Sequence, residues 1–193
     1  AVLIFTSGVN IFLLFGLSTI AIISLVYLIM YVPKFDYIQG RIFSFFNRDT
    51  GTHNFQSDKA IESITSGGFF GKGIGEGTLK NRVPEAHTDY IISVISEEFG
   101  VVAIILILFL FLIFIYMVFK KINFEKDDKI KLVLIGCVSL ILMQATIHIG
   151  VNIRLFPTTG MTLPFLSYGG SSIISISIIS GIILNLTKRK IEN

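Results

Sequence analysis

The chain has 193 residues, of which 52% are hydrophobic and only 15% are charged, with 18 Phe and no Trp. This composition is far more apolar than that of a soluble globular domain and indicates an integral membrane protein. The formal net charge of +3 excludes little, because in a membrane protein only the distribution of charge across the bilayer is informative. The lone Cys137 lies in an apolar run, which excludes a disulfide framework.

The first 32 residues contain no charged side chain. As one helix they would measure about 48 Å, well beyond a hydrocarbon core of about 30 Å. We therefore predict two helices, 1–15 and 17–33, separated near Gly16, with Ser18 capping the second. The sequence opens inside an apolar run without an initiator Met or a basic n-region. We expect this opening to be no signal peptide, and the chain to be the C-terminal part of a longer protein.

A polar connection, 34–88, comes next and is predicted to lie outside the cell. From Lys34 to Asp89 there are seven Lys or Arg and seven Asp or Glu, a balance that allows translocation. Apolar residues at helical spacing in its first part predict a short helix, either lying in the membrane interface or forming an ordinary amphipathic loop helix, which we favour. These residues are Ile38, Ile42, Phe45 and Phe46.

A glycine-rich segment, 67–77, contains six glycines. No Ser or Thr follows Gly71-Lys72, and no strand-to-helix unit of a nucleotide fold surrounds the segment, so a flexible turn is favoured over a nucleotide site. Its backbone N–H groups, with Lys72 and Lys80, remain candidates for contact with a lipid pyrophosphate.

The stretch from Val83 to Asp89 places ionisable side chains directly before a long uncharged run. Asp89 would be stabilised at the start of a helix, so a simple N-cap is one interpretation. At the headgroup boundary the lower dielectric can also tune the basicity of a carboxylate, which makes Asp89 a candidate catalytic group. Glu85 and His87 are its neighbours, and their alternation with Asp89 is not a spacing typical of a metal site.

The uncharged run predicts a spanning helix over 89–119, which places Glu97 and Glu98 two to three turns inside it. Ionisable residues within a span are functional candidates, and pairing with a missing helix is an equally good account of both. Basic residues concentrate in the 120–131 loop and the 188–193 tail, which predicts that both are cytoplasmic. Helices 132–153 and 165–187 then run outward and inward. The predicted fold is an all-α membrane bundle of about five helices, the first truncated.

Three polar side chains recur at intervals of four in the outward helix: Gln144, His148 and Asn152. They share one face, for which interhelical hydrogen bonding is favoured over lining a substrate groove. A metal role for His148 has no supporting spacing. The following segment, 156–172, predicts a tight outer turn fixed by Pro157 and Pro164, with Gly169-Gly170 allowing close helix contact.

Two segments resemble the signatures of the SEDS (shape, elongation, division and sporulation) proteins. The first is Pro157-Thr158-Thr159-Gly160-Met161-Thr162-Leu163-Pro164-Phe165-Leu166-Ser167-Tyr168-Gly169-Gly170-Ser171-Ser172, and the second is Pro84-Glu85-Ala86-His87-Thr88-Asp89 with Glu97-Glu98-Phe99-Gly100. Gly71-Lys72-Gly73-Ile74-Gly75 also occupies the expected place. The resemblance spans essentially the whole chain and corresponds to the second half of a ten-helix protein. Thr162 is similar to the division branch (FtsW) or its sporulation relative rather than to the elongation branch (RodA).

The resemblance implies a peptidoglycan glycosyltransferase of the bacterial plasma membrane, acting at the division septum. Such a protein polymerises lipid II and works with a class B penicillin-binding protein transpeptidase and other divisome proteins. Asp89 falls on the family's essential aspartate and is expected to be the general base. Cations are expected to bind the pyrophosphate, aided by a divalent cation such as Mg or Mn where one is needed. The expected substrate-binding residues are Lys72, Lys80, Arg82, Glu85, His87, Gln144, His148, Asn152, Arg154, Thr159, Ser167 and Tyr168.

The chain departs from the family pattern at two positions. Thr159 stands where the family commonly has Lys, and Arg154 is the candidate to replace that positive charge. His148 stands where the family commonly has Asn, and it is likewise a hydrogen-bonding group. Two rival functions remain open at this stage. One is a lipid II transporter, with the polar face of the outward helix lining its path, and the other is a non-catalytic scaffold for a partner synthase.

Overall fold

A computed structural model describes residues 10–47, 52–83 and 86–188. Over these residues the chain is helical and has no β-strand, as predicted. It divides into two compact units, 1–55 and 56–193. The helices are α1 (Ile11–Tyr31), α2 (Asp36–Asn47), α3 (Thr52–Gly67), α4 (Leu79–Arg82), α5 (Ile91–Phe124), α6 (Asp128–Asn152) and α7 (Gly170–Thr187), with a 3-10 turn at Pro33–Phe35.

The first unit contains α1, the 3-10 turn and α2. The predicted break near Gly16 is wrong, because α1 passes through it without interruption. Ser18 and Thr19 do not cap a new helix; their hydroxyls donate to the carbonyls of Phe15 and Gly16, at 2.9 and 2.8 Å, a pattern compatible with a continuous helix. Most of the predicted helix 1–15 lies outside the described residues. The short helix predicted around Ile38 is present as α2.

The second unit contains three helices that are long and apolar enough to cross a membrane: α5, α6 and α7. Buried aliphatic side chains from all three form their common core, including Val118, Leu134, Val138 and Ile176. The outward-facing side chains are mostly apolar and exposed, as expected for surfaces that contact lipid or further helices.

The predicted ends of the spans differ from the observed ones. Helices α5 and α6 extend into the predicted 120–131 loop and leave only three residues between them, since Asp127 caps α6 by accepting from the Lys129 N–H at 2.8 Å. At the other side, α7 begins at Gly170 and not at Phe165. Phe165 has a φ of 68°, a left-handed conformation that a helix cannot contain.

Helix α5 is broken at Gly100, whose φ of 78° and ψ of −177° fall in a region essentially restricted to glycine. The glycine-rich segment closes this break. The N–H groups of Lys72 and Gly73 donate to the Glu97 and Glu98 carbonyls at 2.9 and 3.0 Å. On the other side of the break, the Val101 N–H donates to the Gly68 carbonyl at 3.0 Å. Backbone groups that a straight helix would pair internally are therefore satisfied by the preceding loop.

The buried carboxylate of Glu97 holds the same loop from its side chain. Glu97 is 1% exposed and accepts from Lys72 Nζ at 2.8 Å, Thr78 Oγ1 at 3.1 Å and the Leu79 N–H at 2.9 Å. The glycine-rich segment, which was predicted to be a flexible turn, is thus bound to α5 both by its backbone hydrogen bonds and by the side chain of Lys72. Glu97 therefore forms an ion pair, as one of its two accounts expected, and its partner in the described part of the chain is Lys72 of the loop.

Candidate active site

Asp89 lies in the turn 86–90 that leads into α5, and it is half-buried. The carbonyls of three successive residues in this turn each accept a hydrogen bond from another segment. The Tyr168 N–H donates to His87 at 3.1 Å, Ser167 Oγ donates to Thr88 at 2.7 Å, and Asn152 Nδ2 donates to Asp89 at 3.0 Å. We call these three contacts the carbonyl clamp. They fix the backbone that carries the Asp89 carboxylate, and no one element supplies them all.

Ser167 connects the clamp to the turn that precedes α7. Its hydroxyl accepts from the Leu163 N–H at 2.8 Å while it donates to the Thr88 carbonyl. The side chain is 5% exposed, so neither contact is easily replaced by water. The turn at Pro164 and the left-handed Phe165 bring Ser167 back toward Leu163, and this places the hydroxyl between the two backbones.

Asn152 is completely buried and uses both ends of its amide. Besides Asp89, Nδ2 donates to the His148 carbonyl at 2.9 Å, while Oδ1 accepts from Ser93 Oγ at 2.7 Å. The last turn of α6 is thereby joined to the first turn of α5. The polar face predicted on α6 makes interhelical contacts here, which is the role the sequence favoured.

The remaining members of that face bond the outer turn. Gln144 Nε2 donates to the Thr162 carbonyl at 2.9 Å and lies 3.2 Å from Ser172 Oγ, which connects α6 to α7. His148 Nδ1 lies 2.7 Å from the Met161 carbonyl, and its buried Nε2 has no hydrogen-bond partner in the described part of the chain. The His148 departure from the family pattern therefore keeps a hydrogen-bonding role between elements.

The Asp89 carboxylate faces the turn between α6 and α7 at Gly160. A Cβ added at Gly160 would lie 3.4 Å from Asp89 Oδ2, and Gly160 has a φ of 69°. A glycine at this position leaves the approach to the carboxylate open and permits the turn. His87, Thr159 and Tyr168 lie in the segments around the carboxylate, and their side chains are exposed.

Three of the cations predicted to bind substrate have side chains that the structure describes, and they are held in ion pairs of two kinds. Lys72 pairs with the buried Glu97 at 2.8 Å. Arg154 pairs with Asp58, and Arg82 lies 3.7 Å from Glu62, whose carboxylates have side-chain exposures of 53% and 55%. Glu62 is also bonded by Lys59, which holds the pKa of its carboxyl below the usual range. Glu85 and the Lys80 side chain lie outside the part of the chain that is described.

Sequence reasoning missed three polar side chains that bond the residues described above: Ser93, Thr78 and Ser172. Ser93 lies four residues after Asp89, and this spacing was a usable signal because the predicted helix start at 89 would place both residues on one face. Thr78 gave none, because its partner Glu97 is distant in the sequence. Ser172 belongs to the signature segment, but its partner Gln144 is equally distant and could not be inferred.

The described residues offer no ready-made metal centre: no three His, Cys, Asp or Glu side chains among them converge on one point. Asp89 alone fits a divalent cation only where a substrate supplies the other oxygens, an arrangement common for Mg²⁺. Its carboxylate would hold such an ion against substrate phosphates, and the ion would supply charge neutralisation.

Comparison with known proteins identifies the family. A family model described as a cell cycle protein, FtsW/RodA/SpoVE, matches residues 1–192. The chain belongs to this family. Because it belongs to this family and has three apolar helices long enough to cross a membrane, the chain is part of a multi-pass membrane protein. The resemblance of its sequence to the SEDS proteins is confirmed.

Several relatives are similar over most of the chain. It is 40% identical over 139 residues to a probable peptidoglycan glycosyltransferase FtsW of Enterococcus hirae, covering 72% of this chain and 35% of that protein. The chain is also 35% identical to a probable peptidoglycan glycosyltransferase FtsW of Geobacter metallireducens, and the match covers 94% of this chain and 51% of that protein. Stage V sporulation protein E of Bacillus subtilis is 35% identical to the chain, and the match covers 97% of this chain and 51% of that protein.

A solved structure shares the fold. That structure is described as showing the structural coordination of polymerization and crosslinking by a peptidoglycan synthase complex. One of its chains superposes on this chain with a TM-score of 0.69 and is 25% identical to it. The match covers 96% of this chain and 51% of that chain. The chain thus spans about half, or less, of the length of the relatives it matches.

Proposed function

We propose that the protein containing this chain is a peptidoglycan glycosyltransferase that polymerises lipid II at the outer face of the plasma membrane. The carbonyl clamp is the observation that carries this proposal. It fixes the backbone of a turn that carries a half-buried carboxylate, and a general base must be held in such a defined position. The relatives named as probable peptidoglycan glycosyltransferases support the same reaction.

In the proposed reaction, Asp89 takes the proton from the sugar hydroxyl of one lipid II molecule. The hydroxyl oxygen forms a bond to the anomeric carbon of a second molecule, and the bond from that carbon to polyprenyl pyrophosphate breaks. The pyrophosphate leaves with the electron pair and needs cationic stabilisation. An extracytoplasmic enzyme has no nucleoside triphosphate supply, so a donor already activated on a lipid suits this topology.

The two kinds of ion pair distinguish the candidate cations. Pairs with exposed carboxylates contribute little to stability, so Arg82 and Arg154 can exchange Glu62 and Asp58 for substrate phosphates at small cost. Lys72 pairs with a buried carboxylate that would be left uncompensated. We therefore assign Arg82 and Arg154 to substrate and Lys72 to the structure of the loop. Arg154 then supplies the charge that Thr159 lacks.

A septal role with a class B penicillin-binding protein is the proposed biological setting. Thr162 and the FtsW relatives support the division branch, while the sporulation relative of similar identity makes sporulation the alternative. The solved relative's synthase complex supports a partner of this kind. A transport path along Gln144, His148 and Asn152 has less support, because these side chains bond neighbouring elements.

The test is Asp89→Asn in the full-length protein, purified with its partner and supplied with external lipid II. We expect polymerisation to fall by about two to four orders of magnitude, because the amide cannot accept the proton. Glu76→Gln removes an exposed acid from the same loop and should leave the rate unchanged. Unimpaired polymerisation by a correctly inserted Asp89→Asn protein would refute the assignment, and no polymerisation by the parent protein would favour a transporter or a scaffold.

A further inference from the structure

A groove opens between α5 and α7 at the end of the bundle that the basic loops assign to the cytoplasm. Both helices end there and pack against α6. The groove has a volume of about 580 Å³ and is lined by residues of α5 and α7 alone. We call it the basic groove, because Lys120 and Lys121 lie at its edge while most of its other lining residues are apolar.

The two lysines differ from the cations around the candidate active site. Neither Lys120 nor Lys121 forms an ion pair with any residue in the described ranges. In contrast, Lys72, Arg82 and Arg154 all have acidic partners. Within the described residues, the basic groove therefore presents two positive charges that have no acidic partner, at the end of a helix predicted to span the membrane.

The apolar part of the groove continues from the lysines into the membrane. Phe114 lies six residues before Lys120, which corresponds to about 9 Å along a helix. Met117 and Leu184 line the same surface, and they are 64% and 69% exposed. A ligand that fits this arrangement has an anionic head and an apolar chain directly attached to it. A soluble anion would leave the apolar surface unused, and an apolar helix would leave the lysines without a counter-charge.

We propose that the basic groove binds an anionic phospholipid of the cytoplasmic leaflet, with its phosphate at Lys120 and Lys121 and an acyl chain along Met117 and Leu184. Basic sites between spanning helices on this side of a membrane favour such headgroups. The inference concerns the opposite face of the membrane from Asp89, and it does not depend on the proposed glycosyltransferase reaction.

The test uses the full-length protein in lipid nanodiscs that contain a photoactivatable phosphatidylglycerol or a phosphatidylcholine with the same modified acyl chain. Cross-linked peptides are mapped by mass spectrometry. We expect phosphatidylglycerol to label peptides containing 114–121 and 183–187 about tenfold more than phosphatidylcholine does, because two lysines face its phosphate. The double variant Lys120→Gln/Lys121→Gln should reduce this labelling to the phosphatidylcholine level.

The matched control is Lys126→Gln/Lys129→Gln, which removes the same charge from the same end of the protein outside the groove. It should keep the preference for phosphatidylglycerol. A second variant, Leu184→Trp, fills the groove without changing charge and should reduce labelling by both lipids. Equal loss in both lysine variants, equal labelling by both lipids, or absence of label from the groove in the complete chain would each overturn the proposal.

Discussion

Three successive carbonyls, those of His87, Thr88 and Asp89, each accept a hydrogen bond from a separate donor. These three contacts constrain the position of the Asp89 side chain through the backbone carbonyls of its turn. Ser167 and Asn152 are therefore positioning residues in the proposed reaction. Sequence reasoning grouped both with the substrate-binding candidates, because a polar side chain near a site gives no sign of whether it faces the ligand or the backbone.

Ser167→Ala tests the clamp. The change leaves the Leu163 N–H and the Thr88 carbonyl without their partner, at a cost of about 1–3 kcal/mol in the free energy of unfolding. We expect kcat for lipid II polymerisation to fall by about 10- to 100-fold with little change in KM, because a displacement of the base weakens only the reacting geometry. Rates and thermal unfolding of the full-length protein measure the two effects.

Ser175→Ala provides the control for this prediction. Ser175 is exposed on α7 and its hydroxyl donates to the Ser171 carbonyl in the same helix at 2.9 Å. Its loss should leave both kcat and stability nearly unchanged. Equal effects of the two substitutions would show that the clamp does not position the base.

At the scale of elements, α5 and the glycine-rich segment form one structural unit. The residues themselves allowed a spanning helix over 89–119 to be predicted, because its long uncharged run has few alternatives. The break at Gly100 was not predicted, since a single glycine within an apolar pattern is compatible with a straight helix. The break depends on the hydrogen bonds between α5 and the glycine-rich segment, and that segment lies about 30 residues earlier in the sequence.

Gly100→Ala tests this unit. A Cβ at Gly100 would lie 2.2 Å from the Phe69 carbonyl oxygen, and the backbone conformation itself is strained for any other residue. We expect a loss of about 1–3 kcal/mol from the conformation alone, with more from the clash. The measurement is the thermal midpoint of the full-length protein, together with protease cleavage in 67–79.

Gly181→Ala is the matched substitution, because nothing described lies within 4 Å of the added Cβ and the residue is inside α7. It should be neutral or stabilise the helix by up to about 1 kcal/mol. A Gly100→Ala protein as stable and as protease-resistant as the Gly181→Ala protein would contradict the role given to the break.

For the whole molecule, the distribution of charge predicts that the glycine-rich loop lies outside the cell and that the turn between α5 and α6 lies inside. The positive-inside rule carries this prediction, because five Lys occur between Lys120 and Lys131. The helical fold class followed directly from composition, whereas the ends of the helices did not. Lysine side chains can reach water from a helix that continues past the hydrocarbon region, so charge marks the membrane boundary better than the end of a helix.

Cysteine labelling checks this orientation in the full-length protein, in a background where Cys137 and every other native cysteine are replaced by Ser. We expect a membrane-impermeant maleimide to modify Glu76→Cys in intact cells and Glu125→Cys only after the membrane is opened. Both positions lie outside the apolar runs, so reagent access depends on sidedness. Modification of Glu125→Cys in intact cells would reverse the topology and place Asp89 on the cytoplasmic side.

The contacts that seal the break in α5 also limit how this family can be recombined. An added Cβ at Gly67, Gly71 or Gly100 would each lie within 2.2 Å of a backbone oxygen across the junction. The two segments are therefore complementary at the level of the main chain, and neither can adjust by choosing another rotamer. A chimera between two relatives that exchanges 67–79 should exchange 96–102 with it. Designs that place a crossover between these segments should fail more often than designs that place it within α6.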